Sequence, residues 1–574
     1  MVAPKTLLSS FVALALTGTA FAATVGPRSG IFKTAPLIAP QWQQLGQANH
    51  ALDYTLTFTL HPANQDGLTQ RMQEISASGG PWLSAEEVAS YVGPKAEDLT
   101  ALQTYLKSQG IADSAISYSA AKDTVTVQTT VGKVAEMFAA DMLSFVLSGT
   151  SPVARAKSIT IPAAISSAVL DVAPILNFGQ VFKIPTKKAA PSDFNVTLAE
   201  RSTTGCSTSQ VTPTCLRNLY QTSGYTPVTS TEGVTVMGYI DQYASQSDLT
   251  SFLNRYRPDA ASATLNIQTT AGAVNDQSNP GDEANLDVQT VVSQSYPLKT
   301  TFLGYGNSNT AGDIFSLTFQ YLLNQATKPG VVSISYGSDE SDMTSSQAQA
   351  MCNYAQQLTA QGTTIVVSSG DSGVAGQKDT CPKGGKFIPT YPSGCPYILS
   401  VGATQNFSPE QAVSPSLAGF WSGAGFSNYF STPSYQSSAV SSYESAISST
   451  STYTGNYFNK NGRAFPDVSS QGSNYLVCIS GSFYTIGGTS ASAPTWAAVL
   501  ALLNDARVAA GKSRVGWIHP TIYGNTGGLT DLTSGASRGC GSSTTLGFPA
   551  TSGYDASTGL GTPVFPGLRS VYGA

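Results

Sequence analysis

Ser490 stands in Gly488-Thr489-Ser490-Ala491-Ser492-Ala493-Pro494, a serine-nucleophile signature in a chain with only three histidines. A serine hydroxyl attacks a carbonyl efficiently only when a neighbouring base takes its proton. His50 and His61 lie in what reads as a removable N-terminal region, and His519, in Trp517-Ile518-His519-Pro520, belongs to no recognisable catalytic motif. Another base is therefore required, and a carboxylate becomes well matched to that task when the working pH falls toward the carboxyl pKa. Glu283 and Asp287 are spaced i, i+4 in Gly281-Asp282-Glu283-Ala284-Asn285-Leu286-Asp287. On a helix they share one face, so that one carboxyl can orient the other and share its proton. A third acid, Asp371, ends the apolar β-branched run at 364–367 in Ser369-Gly370-Asp371-Ser372-Gly373. Such a run is how a buried strand delivers a side chain to the carboxyl edge of a parallel sheet. Asp371 there either caps a turn or helix, or, protonated, donates to an oxyanion. The chemistry indicated is acid-phase acyl transfer by serine.

These residues, in this order, together with Ser335-Tyr336-Gly337 and Phe465-Pro466-Asp467-Val468-Ser469, resemble the sedolisin family, or serine-carboxyl peptidases, which includes the tripeptidyl-peptidase I type. The resemblance spans nearly the whole chain. It implies Ser490 as nucleophile, Glu283 as general base and then acid, Asp287 as its orienting partner, and Asp371 as oxyanion donor with the Ser490 N–H. It implies a subtilisin-like, doubly wound parallel-sheet α/β catalytic domain preceded by an α+β ferredoxin-like prodomain that assists folding, covers the active site and is removed in acid. It also implies one structural Ca2+, held by the Asp531 and Asp555 side chains and the carbonyls of Leu532, Thr551 and Gly553, although Tyr554 replaces the family's usual Trp. A Cys381–Cys540 bridge follows from the same resemblance.

The elements that must position this chemistry are legible in outline. Lys5, an apolar run at 7–16 and Ala20-Phe21-Ala22 read as a signal peptide, residues 1–22. A 574-residue chain is too long for one ordinary core. Alternating strand patterns at 54–60 and 123–128, a capping box from Ser84 to Glu87 and a helical pattern at 131–138 give a mixed prodomain, residues 23–200. Residues 201–574 form the peptidase domain, with apolar strands at 233–240, 331–336, 363–369 and 397–401 separated by helical patterns, the signature of a parallel sheet covered on both faces. The junction is expected in the tract 187–204, with cleavage near Glu200 to Cys206. That tract carries the sequon Asn195-Val196-Thr197; a poorer one, Asn406-Phe407-Ser408, precedes Pro409. The Ser- and Tyr-rich stretch 431–457 reads as surface loop.

Only 11% of residues are charged and the net charge is −5, with a sequence pI of 5.3. No basic cluster points to nucleic acid, and no later stretch has the length and apolarity of a membrane helix. The expected product is a secreted, extracellular, monomeric glycoprotein. Its partners are a peptide or protein substrate and its own prodomain as inhibitor and folding aid. All seven cysteines lie beyond the junction, so at least one is unpaired within the chain. Cys206–Cys215 is a plausible local bridge. Asp371-Ser372-Gly373 is also the short aspartic-peptidase signature, but no second Asp-Thr/Ser-Gly occurs to face it. The reading is a zymogen that releases tripeptides from free N-termini. The alternatives are an acid endopeptidase of the same family and a secreted binding or adhesion protein on an inactive protease fold. The motifs do not encode how the non-prime end of the cleft is closed; Asp339 and Glu340 are candidate anchors for a substrate amino group.

Overall fold

The computed structural model describes residues 30–36, 38, 41–147, 150–179, 182–183, 187–189, 206–229, 231–307, 310, 312–377, 381, 385–540 and 546–574. The expected signal peptide, the Asn195 sequon and the expected cleavage region up to residue 205 lie outside these.

In the prodomain, β1 (Asp53–Leu60) is followed by α1 (Gln65–Ser78), α2 (Ala85–Val92) and α3 (Ala96–Ser108), then β2 (Ile116–Tyr118), β3 (Thr124–Thr130), α4 (Val131–Phe138) and β4 (Val169–Ala173). The strands form an antiparallel sheet in the order β2-β3-β1-β4, the βαββαβ plan of the expected ferredoxin-like domain. Leu56, Phe58, Val125 and Val127 bury one face of this sheet under Leu102, Leu106, Val134 and Phe138. The capping box at Ser84 and Glu87 opens α2 as expected.

The catalytic sheet follows with β7 (Gly233–Gly238), β8 (Asn266–Thr270), β9 (Lys299–Tyr305), β10 (Val331–Ile334), β12 (Thr364–Ser368) and β13 (Leu399–Gln405). It runs β8-β9-β7-β10-β12-β13 in parallel register. β14 (Gln411–Ala412, antiparallel) and β15 (Val468–Gln471, parallel) complete its eight strands beside β13. β10 and β12 are buried at every position, as strands covered on both faces must be. Two helices, α5 (Asp282–Ser295) and α9 (Thr489–Ala509), pack together and are buried along nearly their whole length. Two buried glutamines of α5 are paired: Gln289 exchanges two hydrogen bonds with the Cys478 backbone, at 2.7 and 2.9 Å, and Gln294 donates to Thr495 of α9.

The prodomain sheet sits on α6 (Ser345–Ala360). Tyr354 of that helix bonds both Thr59 and Thr124 at 2.9 Å, Gln357 donates to Asp123 at 2.7 Å, and Ser346 donates to Asp171 at 2.9 Å. Beyond the prodomain sheet, β5 (Phe182–Lys183) pairs antiparallel with β11 (Tyr336–Asp339), and β6 (Lys187–Ala189) pairs antiparallel with β16 (Ser482–Gly487).

One sequence expectation changes. The stretch 431–457 contains α7 (Ser437–Ile447) and α8 (Ser451–Thr454). Val440, Tyr443 and Ile447 bury one stripe of α7 in the main core, a periodicity of three and four residues that the intervening serines conceal. His519 is structural: buried, its Nε2 lies 3.3 Å from Asp467 Oδ2 and 3.2 Å from the Ile398 carbonyl. The expected Cys206–Cys215 and Cys381–Cys540 bridges are present; Cys352–Cys395, unread in the sequence, is a third, and Cys478 is buried and unbridged.

Asp467, from the Phe-Pro-Asp-Val-Ser motif, is fully buried and accepts from Arg463 Nη2 at 2.6 Å. Burial alone would push its carboxyl up, but the Arg463 guanidinium and then His519 hold it down at about 2. A depressed carboxyl pKa contributes stability that is fully present above the unfolded value and is lost only as pH falls through the folded one. The pair therefore persists at pH 3–4 and fails toward pH 2. Asp467→Asn strands a buried guanidinium and is expected to cost about 3–5 kcal/mol in denaturant unfolding.

Candidate active site

Ser490 is the second residue of α9, and Gly488 precedes the helix with φ 156°. A Cβ on Gly488 would meet Asp371 Oδ2 at 2.6 Å, so only glycine lets Asp371 close on the helix start. Asp371 Oδ1 accepts from the Thr489 N–H at 2.7 Å and from Thr489 Oγ1 at 2.8 Å, while Thr489 Oγ1 accepts from the Gly370 N–H at 3.1 Å. One oxygen of Asp371 thus caps α9, and the other faces Gly488 beside Ser490. The two readings of Asp371 from sequence, cap and oxyanion donor, are compatible in one side chain.

Glu283 and Asp287 occupy the first turns of α5, and both are fully buried. The Glu283 N–H donates to Gln242 Oε1 at 3.1 Å, fixing the helix start. Asp287 Oδ1 accepts from Ser335 Oγ at 2.9 Å. Burial first, and the negative charge of Glu283 second, raise the Asp287 carboxyl well above the ordinary range, while the Ser335 hydrogen bond pulls it back. Burial first, and then the negative charges of Glu283 and Asp287, raise the phenol of Tyr336, next in sequence to Ser335.

Ser335 joins the two halves of the site. Its hydroxyl reaches Asp287, and Ser490 Oγ makes a long contact of 3.5 Å to the Ser335 carbonyl. Ser335 Oγ also lies 3.4 Å from the Ser490 carbonyl. Sequence reasoning assigned Ser335 no role; its position between two buried strands, at the end of an apolar run, was the available signal. The four sequence candidates are therefore assembled on α5, behind β12 and at the head of α9. Asp339 and Glu340 are buried and committed instead. Asp339 accepts from the Gln377 N–H at 2.7 Å. Glu340 accepts from Ser427 Oγ and from the Asn428 N–H, and burial pushes its carboxyl up to about 7.

Four of the five residues expected to hold calcium are hydrogen-bonded in two pairs, Asp531 with Gly553 and Asp555 with Thr551. Asp531 Oδ2 accepts from the Gly553 N–H at 2.8 Å, and buried Asp555 accepts from the Thr551, Ser557 and Thr558 N–H groups. Among the described residues no group of three or more His, Cys, Asp or Glu could hold a metal, so any cation here depends on backbone carbonyls. Two carboxylates around one glycine-containing loop, with the buried Thr551 Oγ1 lacking a partner among the described residues, are a hard-oxygen donor set that fits calcium.

Fold and site together define a subtilisin-type α/β protein with an N-terminal prodomain and a serine at the head of its central helix. Residues 40–178 match the pro-kumamolisin activation domain, and residues 270–515 match the subtilase family. The chain is 32% identical over 532 residues to tripeptidyl-peptidase SED2 of Arthroderma otae, covering 88% of this chain and 87% of that protein. It is 32% identical over 535 residues to tripeptidyl-peptidase sed4 of Aspergillus fumigatus, covering 87% and 86%. A solved structure of Pseudomonas sedolisin, a serine-carboxyl proteinase complexed with two molecules of pseudo-iodotyrostatin, superposes with TM-score 0.50 at 23% identity, over 62% of this chain and 96% of that one. The chain belongs to the sedolisin family of serine-carboxyl peptidases. It is a serine-type peptidase with an activation prodomain, and no described helix is long and apolar enough to cross a membrane.

If Asp287 works with Glu283, the Ser335 hydroxyl sets the pH range of catalysis, because a donor to a carboxylate lowers its pKa. In Ser335→Ala the carboxyl rises further, and the acid limb of kcat/KM is expected to move to higher pH; an unshifted profile would remove Ser335 from the proton path.

Proposed function

We propose that this protein is an acid-active peptidase that releases tripeptides from free N-termini, with Ser490, Glu283, Asp287 and Asp371 as its catalytic residues. The observation that carries the reading is Ser335, which contacts both Asp287, one member of the buried carboxyl pair, and Ser490. Ser490 Oγ attacks the scissile carbonyl as Glu283 takes its proton. The oxyanion is held by the Ser490 N–H and by protonated Asp371. Glu283 then protonates the leaving amine, giving the acyl-enzyme, and water, deprotonated by Glu283, releases the product. Acid working conditions are supported by the raised Asp287 carboxyl and by the need for a proton on any oxyanion-donating Asp371. Tripeptide release is carried over from the relatives' names at 32% identity. Endopeptidase action is the alternative, and it gains weight from Asp339 and Glu340 being buried in other duties.

The domain limits proposed are signal peptide 1–22, prodomain 23–200 and peptidase 201–574, with export from the cell and action as a monomer. The prodomain is proposed as intramolecular inhibitor. Supporting this, β5 and β6 pair with β11 and β16, strands that begin just after Ser335 and end just before Gly488. Asp531, Asp555 and the carbonyls of Leu532, Thr551 and Gly553 are proposed to hold one calcium ion, which would tie the 531–532 and 551–555 loops together.

Acid-matured protein and its Ser490→Ala variant, given one peptide set with free or blocked N-termini near pH ~4, test the reading by mass of the products. Serine-dependent loss of three residues from free N-termini alone is expected. Equal cutting of blocked peptides would make the protein an endopeptidase, and no turnover at any pH would leave a binding protein. Calcium is expected to raise Tm in wild type by mass action and to leave Asp531→Asn nearly unmoved, read by calorimetry with and without chelator.

A further inference from the structure

β10 and β12 are neighbours in the sheet. Their carboxyl ends continue into Ser335-Tyr336-Gly337 and Ser369-Gly370-Asp371. Both segments end beside Ser490: the Ser335 carbonyl contacts Ser490 Oγ and Asp371 holds Thr489, while the strand Thr390–Tyr391 bridges them, pairing with Ser338 and Asp339 and donating from Thr390 Oγ1 to the Ser369 carbonyl at 2.8 Å. A glycine of each segment lies near the same side-chain nitrogen: a Cβ built on Gly337 would lie 3.1 Å from the Tyr391 carbonyl oxygen and 3.3 Å from Gln377 Nε2, and one on Gly370 would lie 3.2 Å from Thr390 Cγ2 and 3.6 Å from Gln377 Nε2. The Gln377 carboxamide is therefore close to both segments. Its Nε2 and Oε1 are both buried without a hydrogen-bond partner among the described residues.

The backbone presenting this amide is fixed. The Gln377 N–H donates to Asp339 Oδ1 at 2.7 Å. Gly376, at φ 65°, passes so close that a Cβ there would be 2.2 Å from that same oxygen. Asp339, rather than receiving a substrate amine, is a positioning residue for Gln377. The route of a peptide past this point is also marked. Phe182 pairs with Gly337 and Lys183 with Tyr336, antiparallel, so a peptide in that register brings its residue opposite Ser335 to Ser490, beside these two segments.

We propose that Gln377 closes the pocket for the substrate side chain on the acyl side of the cut bond, and that it selects an uncharged side chain able to hydrogen-bond, glutamine or asparagine, over an aliphatic one of equal length. The inference rests on the peptidase reading above. A buried amide without partners has lost its hydration and recovers hydrogen bonds only when a ligand supplies them. An aliphatic side chain fills the same volume and leaves both atoms unsatisfied, which is the asymmetry by which polar pockets discriminate.

The test uses acid-matured full-length protein and two free-N-terminus peptides that differ only in Gln or Met as third residue, competed in one tube with products counted by mass. The ratio of the two kcat/KM values does not depend on how much enzyme is folded. Wild type is expected to favour the Gln peptide by about 10-fold or more, and Gln377→Leu to bring the ratio to about one or below. A wild-type ratio near one, or a ratio unchanged in Gln377→Leu, overturns the proposal; Gln377→Met is read the same way if the Leu variant does not mature. If wild type cuts neither peptide in a Ser490-dependent manner, it is the peptidase reading that fails.

Discussion

Two carboxyl groups buried four residues apart on one helix impose the constraint on which the rest of the site depends. Neither Glu283 nor Asp287 has solvent to hydrate its charge, and the charge of the first raises the proton affinity of the second. Like charges in such a setting share a proton rather than ionise together. The arrangement holds because α5 lies pressed along α9 and because Ser335 reaches Asp287 from the end of β10. A histidine base would need no such enclosure; a carboxylate base does, since its basicity comes from the exclusion of water.

The same logic extends through the molecule. Asp171, Asp313 and Glu410 are buried, accept hydrogen bonds from hydroxyls, and have carboxyls raised mainly by desolvation. Groups of this kind bind more protons in the native than in the unfolded state, so native stability declines as pH rises above the ordinary carboxyl range. Asp467 is the counterexample, held ionised by Arg463 and His519. The fold thus combines a buried ion pair that survives acid with several carboxyls that are favoured by it.

The catalytic candidates were legible in sequence because each is tied to a local rule: i, i+4 spacing for Glu283 and Asp287, a strand-to-turn transition for Asp371, and small residues before a helix for Ser490. The prodomain sheet was legible from the alternation at 54–60 and 123–128. What escaped depends on neighbours far away in the chain. Ser335 acquires its role only when β10 is laid beside α5 and α9. The buried face of α7 was hidden because Val440, Tyr443 and Ile447 stand among serines whose own helix preference is weak. His519 could be excluded from the chemistry by motif, but its duty to Asp467 required the fold, as did the commitment of Asp339 to Gln377.

The prodomain holds the peptidase domain at several separate places: the side chains of α6, through Tyr354, Gln357 and Ser346, the 514–521 segment, through Trp82 and Ser76, and the backbone of β11 and β16. A single break in the connecting tract removes none of these contacts. Severing the chain and uncovering the site are therefore distinct events, and the second converts an internal contact into an ordinary bimolecular complex whose occupancy falls on dilution. A molecule nicked in a crowded compartment would remain silent there and become competent as it diffuses away.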